Sequence, residues 1–530
     1  MAVTETPPET VAAAASAMPQ ARPEPATGLA AVLGSGDHKV IGRLFIVTSL
    51  VFGLGVVVLG ALFGLEATSS ATLDVFGSGS VFQLFSLFRV GSLFLLGFPL
   101  VIGLAMVVVP LQVGSRSVAF PRAAAASYWS WLMGALLLLT SYAIDGGPGG
   151  GRTTGVNLWI ASMGLIVLAV LLAAVCLATT VLALRTNGMS LARTPLYAWS
   201  VAVAAILWIL TLPVLFGELV LAYVDHRHAG QSFGNNAELF ARIGWVLRNP
   251  TIYTLAVPVL GFLADVIATS TRARLALRPV VQAAVGAFGI FGFGAFLVTS
   301  SPDALRPPVV IAFGLGAVLP ILAVVILAAD GFRRGKPQLN PGLLHALAAL
   351  LILLLGVGAG ALGSIPALDT AGTIFDLGVS HAILLASVIA SLGGIHWWAT
   401  KIGRQPAKET LGLLAPLVLA LGSAVVVIGD LGSGLAGKDG SAELRPDWTG
   451  GIEGLNVVVL IGTVIVMLGL VIAIVSLLPL FKRSDQSPQD PWEGQTLEWL
   501  APSPPPLGNF VGDLPVVTSP EPLLDQRQES

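Results

Sequence analysis

Long apolar runs, repeated along most of the chain, constrain its fold more than any other feature. A helix needs roughly 20 apolar residues to cross a bilayer, and twelve runs reach about that length. Loops between them are short, so consecutive helices should pack as antiparallel neighbours. The predicted fold class is an all-α polytopic membrane protein with twelve transmembrane helices, at 42–64, 82–111, 125–145, 157–184, 195–224, 239–269, 279–299, 307–329, 342–363, 375–400, 409–431 and 452–481.

Composition agrees with a protein that lives in a lipid bilayer. Of 530 residues, 55% are hydrophobic and 11% are charged, far from an ordinary soluble composition. The formal net charge of −2 gives no electrostatic case for binding nucleic acid. Cys176 is the only cysteine, which excludes an intrachain disulfide and a cysteine-based metal site.

The two ends of the chain differ from the apolar middle. Residues 1–37 are rich in Ala, Pro, Thr and Glu and are predicted to be a disordered tail, ahead of a membrane domain at 38–482. Residues 483–530 form a Pro-rich tail. This tail contains three large apolar residues that could dock on a partner or on the membrane surface: Trp492, Leu497 and Trp499. The alternative is an extended tail whose two tryptophans lie at the membrane interface.

Positive charge is distributed unevenly between the loops. Seventeen Lys and Arg residues fall on one set of loops and five on the other, namely Arg152, Arg227, Arg306, Lys438 and Arg445. Because cytoplasmic loops carry the excess of Lys and Arg, both termini are predicted to be cytoplasmic. The protein is expected to be an integral protein of a bacterial-type plasma membrane.

Polar residues interrupt two of the apolar runs. The sixth run contains Arg248, Asn249, Thr251 and Tyr253 around Pro250, and the second contains Arg89. Charges inside a bilayer are costly and face the interior of a helix bundle. These residues either fill that interior through local networks or line a path for an anion or solute, and we favour the first interpretation.

Four stretches, in order along the chain, resemble subunit I of the heme–copper oxidases, the cytochrome c oxidase type. They are the second run and its turn (Gln83 to Arg122), NGMSLARTPLYAW from Asn187, GWVLRNPTIYTLAVPVLGFLADVI, and the tail DPWEGQTLEWLAPSPPP from Asp490. The resemblance extends from about residue 38 to 520. It implies a twelve-helix bundle with cytoplasmic termini, which agrees with the prediction from the apolar runs.

The resemblance also identifies where family ligands would lie. The second-helix heme ligand matches Phe88, and the copper ligands match Asn249, Gly294 and Ala295. On the tenth helix, one alignment places His381 on the high-spin heme ligand and Ile383 on the low-spin ligand. A second alignment places Ile383 and Leu385 there. A lone histidine on an apolar helix is usually a packed residue, so His381 is only a possible axial ligand.

Other functional positions of the family are also replaced. The positions that match its proton-conducting residues are Met106, Ser117, Ala124, Thr251 and Val318, and its propionate-binding arginines match Glu443 and Leu444. Tyr253 matches the family's redox tyrosine, and we interpret it as an aromatic core residue. The sequence therefore predicts no cofactor, or at most one heme at His381, with copper improbable on this donor set.

Three functions follow as hypotheses. The preferred one is a subunit I-like protein that has lost oxygen-reduction chemistry and serves as a structural or assembly subunit beside other membrane subunits of a respiratory complex. A second is a working terminal oxidase subunit that passes electrons from cytochrome c or quinol to oxygen, although fold-level analogy alone does not establish function. A third is a solute path through the empty bundle.

Overall fold

In the part of the chain that the structure describes, twelve long helices in chain order form the bundle. The structure, a computed structural model, describes residues 28–68, 80–148, 150–228, 251–275, 277–294, 307–370, 372–440, 451–482 and 487–529. The helices are α1 His38–Glu66, α2 Val81–Gln112, α3 Pro121–Ala143, α4 Thr153–Ala183, α5 Leu196–His228, α6 Thr251–Ser270, α7 Arg278–Gly294, α8 Pro307–Arg334, α9 Pro341–Gly363, α10 Phe375–Trp397, α11 Glu409–Leu435 and α12 Gly451–Leu477.

The predicted all-α membrane fold is confirmed. In the described ranges, eleven helices are long and apolar enough to cross a membrane, and α7 is a shorter apolar helix. Each of the helices α1 to α12 overlaps one of the predicted runs. Regular structure in these ranges is helical apart from an isolated bridge between Thr373 and Asp439. Before the bundle, Leu29–Leu33 is a short helix of its own.

The helices differ in how much of their apolar surface is buried. The apolar stretch of α2 is 100% buried, and those of α6 and α10 are 94% and 89% buried. By contrast, the stretches of α12 and α1 are 28% and 33% buried. Helices that are apolar on all faces lie inside a bundle, so α2, α6 and α10 form the interior, and α1 and α12 present their outer faces to lipid.

A π-helical turn interrupts α2 at Ser92–Gly97. Pro99 lies two residues after this turn, and its ring nitrogen cannot donate to the carbonyl of Leu95. A proline ring also clashes with the carbonyl four residues earlier, so the preceding turn widens. Single π turns inside α-helices are frequent at functional sites. This turn brings Ser92 and Leu96 to the wall of a cavity between the helices.

The tail packs against the ends of its own helices. Trp492 stacks on Trp397 with ring centroids 5.2 Å apart, and its indole N–H donates to the Trp397 carbonyl at 2.9 Å. The Lys401 ammonium donates to the carbonyl of Gln489 and to Ser503 Oγ, and lies 5.5 Å from the ring of Trp499. In the structure the two tail tryptophans thus serve to anchor the tail to the bundle. The end of the bundle at which the tail docks, next to Trp397 and Lys401, is called the tail end below.

Two histidines of the bundle, His345 and His396, are packed near the tail end. His345 and His396 stack with ring centroids 4.8 Å apart. Nε2 of His396 lies 2.6 Å from Ser476 Oγ, and the side chain is 3% exposed. His396 is therefore a buried packing residue.

Candidate functional site

A cavity lies between α1, α2, α10, α11 and α12 and is called the α2–α10 cavity here. Its volume is about 150 Å³. All five helices contribute apolar side chains, among them Val56, Phe85, Leu377, Val426 and Val459. Four residues with charged, imidazole or amide side chains also line the cavity: His381, Asp430, Lys438 and Asn456.

His381 faces the residue that matches the family's second-helix heme ligand. The rings of His381 and Phe88 are 5.6 Å apart between centroids, with an interplanar angle of 75°. The imidazole Nδ1 lies 2.8 Å from Asp430 Oδ2, and because a carboxylate only accepts, Nδ1–H is the donor. The ring orientation is therefore fixed by α11, and Nε2 is the nitrogen that could bind a metal.

Phe88 is held by close packing against α1. Its ring lies 6.1 Å from that of Phe63. A β-carbon at Gly60 would lie 2.8 Å from Phe88 Cε2, so the absence of a side chain at Gly60 gives the ring its place. A phenyl ring has no atom that can ligate iron. Of the two facing side chains, Phe88 and His381, only His381 could therefore bind iron.

Lys438 reaches the cavity from the end of α11 opposite the tail end. Gly437 adopts φ +84°, and the N–H groups of Gly437 and Lys438 donate to the carbonyls of Gly434 and Ser433. This is the Schellman ending of a helix, which favours glycine. The Lys438 carbonyl also accepts from Ile374 N–H, next to α10. The backbone therefore fixes Lys438 between α10 and α11.

The structure brings only part of the predicted polar cluster close to this cavity. Arg89 lies with its guanidinium carbon 5.9 Å from the ring centroid of Phe85, and it lines a small neighbouring cavity with His381 and Ser380. Tyr253 is 5% exposed, and its ring centroid is 6.4 Å from that of Phe288. Ile383 is fully buried against Gly356 of α9.

The remaining predicted residues lie at the limits of the described ranges or outside them. Thr251 is the first residue of α6 as described, and Gly294 is the last of α7. Arg248, Asn249 and Ala295 lie outside the described residues, as do Glu443 and Leu444. Across the described ranges, no group of three or more His, Cys, Asp and Glu side chains is arranged to hold a metal ion.

A second buried polar cluster lies at the tail end. Asp265 of α6 accepts from the N–H groups of Leu196 and Tyr197, both at 3.0 Å, at the start of α5. Gln112 Nε2 bridges Asp265 Oδ2 and Glu498 Oε1 at 3.2 and 3.1 Å. Burial raises the pKa of Glu498 to about 7, and nearby Asp265 adds to that effect. This cluster joins the tail to α2, α5 and α6.

Sequence reasoning missed three residues of the α2–α10 cavity: Asp430, Lys438 and Asn456. Asp430 lies inside the eleventh apolar run, and an ionisable residue within a membrane segment is by default a candidate functional residue. Lys438 belongs to the set of loops that carries little positive charge. Both signals are present in the sequence, but the pairing of these residues with His381 and Asn456 depends on the packing of α10, α11 and α12.

Comparison with known proteins finds relatives along nearly the whole chain. A probable cytochrome c oxidase subunit 1-beta of Nocardia farcinica is 28% identical, over 96% of this chain and 91% of that protein. A heme-copper oxidase subunit I+III of Aeropyrum pernix is 28% identical over 91% of this chain and 61% of its own length. A heme-copper terminal oxidase dimer solved by cryo-EM shares the fold, with a TM-score of 0.68 and 15% identity over 93% of this chain and 89% of that one.

The expectation that the chain carries no cofactor is wrong. The family model for cytochrome c and quinol oxidase polypeptide I matches residues 40–465, and members of that family carry hemes and copper. For a heme, His381 fits one axial position and Phe88 does not fit the other. For copper, the matching residues Asn249, Gly294 and Ala295 have no imidazole, so they do not reproduce the family's ligands. The physical reason for the correction is that a shared bundle can keep a cofactor site after some of its ligands change.

Three kinds of observation agree on the family. The apolar runs and the helices give the same bundle, the relatives align over nearly the full length, and the family model spans from α1 to the first half of α12. This chain belongs to the cytochrome c and quinol oxidase polypeptide I family, as a subunit I-like integral membrane protein.

Proposed function

We propose that this chain is a subunit I-like component of a respiratory membrane complex and does not itself reduce oxygen. The observation that carries the proposal is the contact between His381 and Phe88, the residue that matches the family's second-helix heme ligand, with ring centroids 5.6 Å apart. A protein with this pair cannot hold an iron between two histidines. Electron transfer toward an oxygen-reducing centre would then lack a heme ligated by two histidines, which is the low-spin type.

The role that remains is to hold other membrane subunits. The family normally works as part of a complex, and contacts with partners do not depend on heme ligands. The strongly positive loops and apolar helices support a position in a bacterial-type plasma membrane with both termini in the cytoplasm. The described tail then lies on the cytoplasmic end of the bundle.

Purification of the tagged chain from its native membrane tests both halves of the proposal. Oxygen uptake is measured with reduced cytochrome c and with a reduced quinol, and co-purified membrane subunits are identified by mass spectrometry. We expect background oxygen uptake together with a stoichiometric membrane partner. A tagged Gly55→Ala variant, altered at a position with nothing within 4 Å, controls for non-specific loss of partners. Recovery of the chain without any other membrane subunit would contradict the proposed role.

A terminal oxidase subunit is the second candidate. It is favoured by the relatives named as cytochrome c oxidase subunits, which align over as much as 96% of the chain. This function requires electron transfer from cytochrome c or quinol to oxygen within the purified complex. Cyanide-sensitive oxygen uptake that disappears in a His381→Leu variant would favour it over the first proposal.

A further inference from the structure

A groove between α1 and the end of α12 is open on the outside of the bundle, and it is called the α1–α12 groove here. Its volume is about 320 Å³, which is about twice that of the α2–α10 cavity. Four of the apolar side chains that line it are 39% to 64% exposed: Val47, Val51, Leu478 and Phe481. Exposed apolar patches on a membrane protein mark contact with lipid or with another chain.

The wall that α1 contributes is a single stripe, charged at one end and apolar along the rest. Its members follow at helical spacing: Arg43, Ile46, Val47, Leu50, Val51 and Leu54. Leu54 lies eleven residues after Arg43, which is a rise of about 16 Å along the helix. The hydrocarbon core of a bilayer is roughly 30 Å thick. The stripe is therefore about as long as the acyl chains of one leaflet.

Arg404 lines the charged end of the groove, and the backbone fixes its place there. It follows the short helix Ala399–Ile402, which contains Lys401 of the tail end. The Arg404 N–H donates to the carbonyl of Leu480 at 3.0 Å. A β-carbon at Gly403 would lie 2.6 Å from that carbonyl oxygen, so the close approach requires glycine.

Arg43 supplies the second guanidinium at this end, from the second turn of α1. Its Nε–H donates to the Lys39 carbonyl at 3.0 Å, which uses one of the five donors of the guanidinium. The long apolar part of an arginine can lie along the helix while its charged head reaches the level of the lipid headgroups. Arg43 is placed for this, because the apolar stripe continues from it into the membrane.

The two guanidinium groups are not neutralised by this chain. In the ranges that the structure describes, neither Arg43 nor Arg404 forms an ion pair with a carboxylate. Asp37 is paired with Lys39 at 2.7 Å and acts on Arg43 only at longer range, while the positive charge of Arg404 repels that of Arg43. A shared anion at this end of the groove would relieve the repulsion.

We propose that the α1–α12 groove binds an anionic phospholipid, with its phosphate at Arg43 and Arg404 and an acyl chain along the α1 stripe. The planar guanidinium matches the geometry of a phosphate, and basic pockets between transmembrane helices bind anionic headgroups. An apolar helix of a partner subunit would cover the stripe but would leave both arginines without an anion. The site does not depend on oxygen reduction, so lipid binding and oxygen uptake are separate measurements.

The first test titrates the full-length protein, stripped of lipid in a neutral detergent, with phosphatidylglycerol and with phosphatidylcholine of the same acyl chains. Bound lipids are counted by native mass spectrometry. The wild type should prefer phosphatidylglycerol, because phosphatidylcholine has no net charge. Arg43→Gln and Arg404→Gln should each weaken phosphatidylglycerol binding about fivefold, the typical effect of one basic residue at an anionic membrane surface.

Arg116→Gln is the matched control. It removes an exposed arginine near the docked tail, whose Asn509 donates to the carbonyl of Ser115, and Arg116 does not line the groove. This variant should bind both lipids as the wild type does. Equal losses in Arg116→Gln and Arg404→Gln would mean general attraction of anionic lipid and would overturn the site. Equal affinity of the wild type for the two lipids would overturn it without any variant.

The acyl chain is tested separately from the headgroup. Val51→Trp narrows the groove at an exposed position of the stripe and should weaken binding of both lipids about fivefold or more. Ile461→Trp, at an exposed position of α12 outside the groove, should have no effect. If inorganic phosphate displaces phosphatidylglycerol at equal concentration, the groove binds a free anion and the lipid assignment is wrong.

A photo-reactive benzoylphenylalanine in place of Val51, irradiated in native membranes, distinguishes lipid from protein. An adduct with the mass of a phospholipid is the expected product. A cross-link to another membrane subunit, with no lipid adduct, would show that a partner helix occupies the groove and would contradict the proposal.

Discussion

At the scale of single residues, buried carboxylates accept hydrogen bonds from donors on neighbouring helices. Asp265 accepts two backbone N–H groups at the start of α5, a region where the first N–H groups of a helix lack intrahelical partners. Asp430 accepts from His381. In both cases a carboxylate on one helix satisfies a donor of another. These bonds explain why charged residues are retained inside an otherwise apolar bundle.

Asp265→Ala should lower the stability of the bundle by about 2 kcal/mol, because it leaves the N–H groups of Leu196 and Tyr197 without an acceptor. The effect can be measured by unfolding in mixed detergent, followed by tryptophan fluorescence. Glu409→Ala removes an exposed carboxylate from the first turn of α11 and should cost less than about 1 kcal/mol. Equal effects of the two variants would show that Asp265 has no capping role.

At the scale of elements, α1 and α2 approach each other through glycines. A β-carbon at Gly42 would lie 2.5 Å from the Gly103 carbonyl oxygen, which is backbone and has little freedom to move. Small residues at such crossings let two membrane helices pack closely.

Gly42→Ala should therefore lower the melting temperature in detergent, since overpacking a tight interface typically costs about 1–3 kcal/mol. Gly55→Ala on the same helix meets nothing within 4 Å and should leave the melting temperature nearly unchanged. A Gly42→Ala protein as stable as Gly55→Ala would mean that the helices do not cross this closely.

The tail is an element whose attachment should depend on pH. Burial raises the folded-state pKa of Glu498 to about 7 from its ordinary value of 4.5. The folded state therefore favours the protonated carboxyl, and stability falls as pH rises from about 4.5 to about 7. The upper limit of the loss is about 3 kcal/mol.

Comparison with Glu498→Gln isolates this carboxyl from the other titrating groups. The melting temperature of the wild type should fall more between pH 5 and pH 8 than that of the Glu498→Gln variant. Parallel curves for the two proteins would show that Glu498 stays at its ordinary pKa. The variant keeps an acceptor oxygen for Gln112, so the tail should still dock.

At the scale of the whole molecule, the sequence predicted the bundle well and the site only in part. Run length is enough to locate helices because the bilayer requires about 20 apolar residues per crossing. It carries no information about which faces meet, so the Phe88–His381 contact required the structure. One of the two sequence alignments places His381 on the high-spin position and the other assigns it no ligand role, whereas its ring faces the residue that matches the low-spin ligand on the second helix.

Distance along the chain explains what else sequence reasoning could not supply. Lys438 and Asn456 are close in sequence, but they line the same cavity as His381 only through the packing of α10, α11 and α12. The docked tail depends equally on long-range contacts, such as Trp492 with Trp397. Such contacts follow from three-dimensional complementarity, for which a single sequence has no periodic signal.

The most direct test of the central claim is the spin state of the iron in protein loaded with hemin. The α2–α10 cavity has one imidazole at His381 and a phenyl ring at Phe88, so electron paramagnetic resonance should show a high-spin ferric heme in the wild type. Phe88→His should convert it to a low-spin heme with two histidine ligands. A wild-type spectrum that is already low-spin with two histidines, or a Phe88→His spectrum that does not change, would contradict this account of the site.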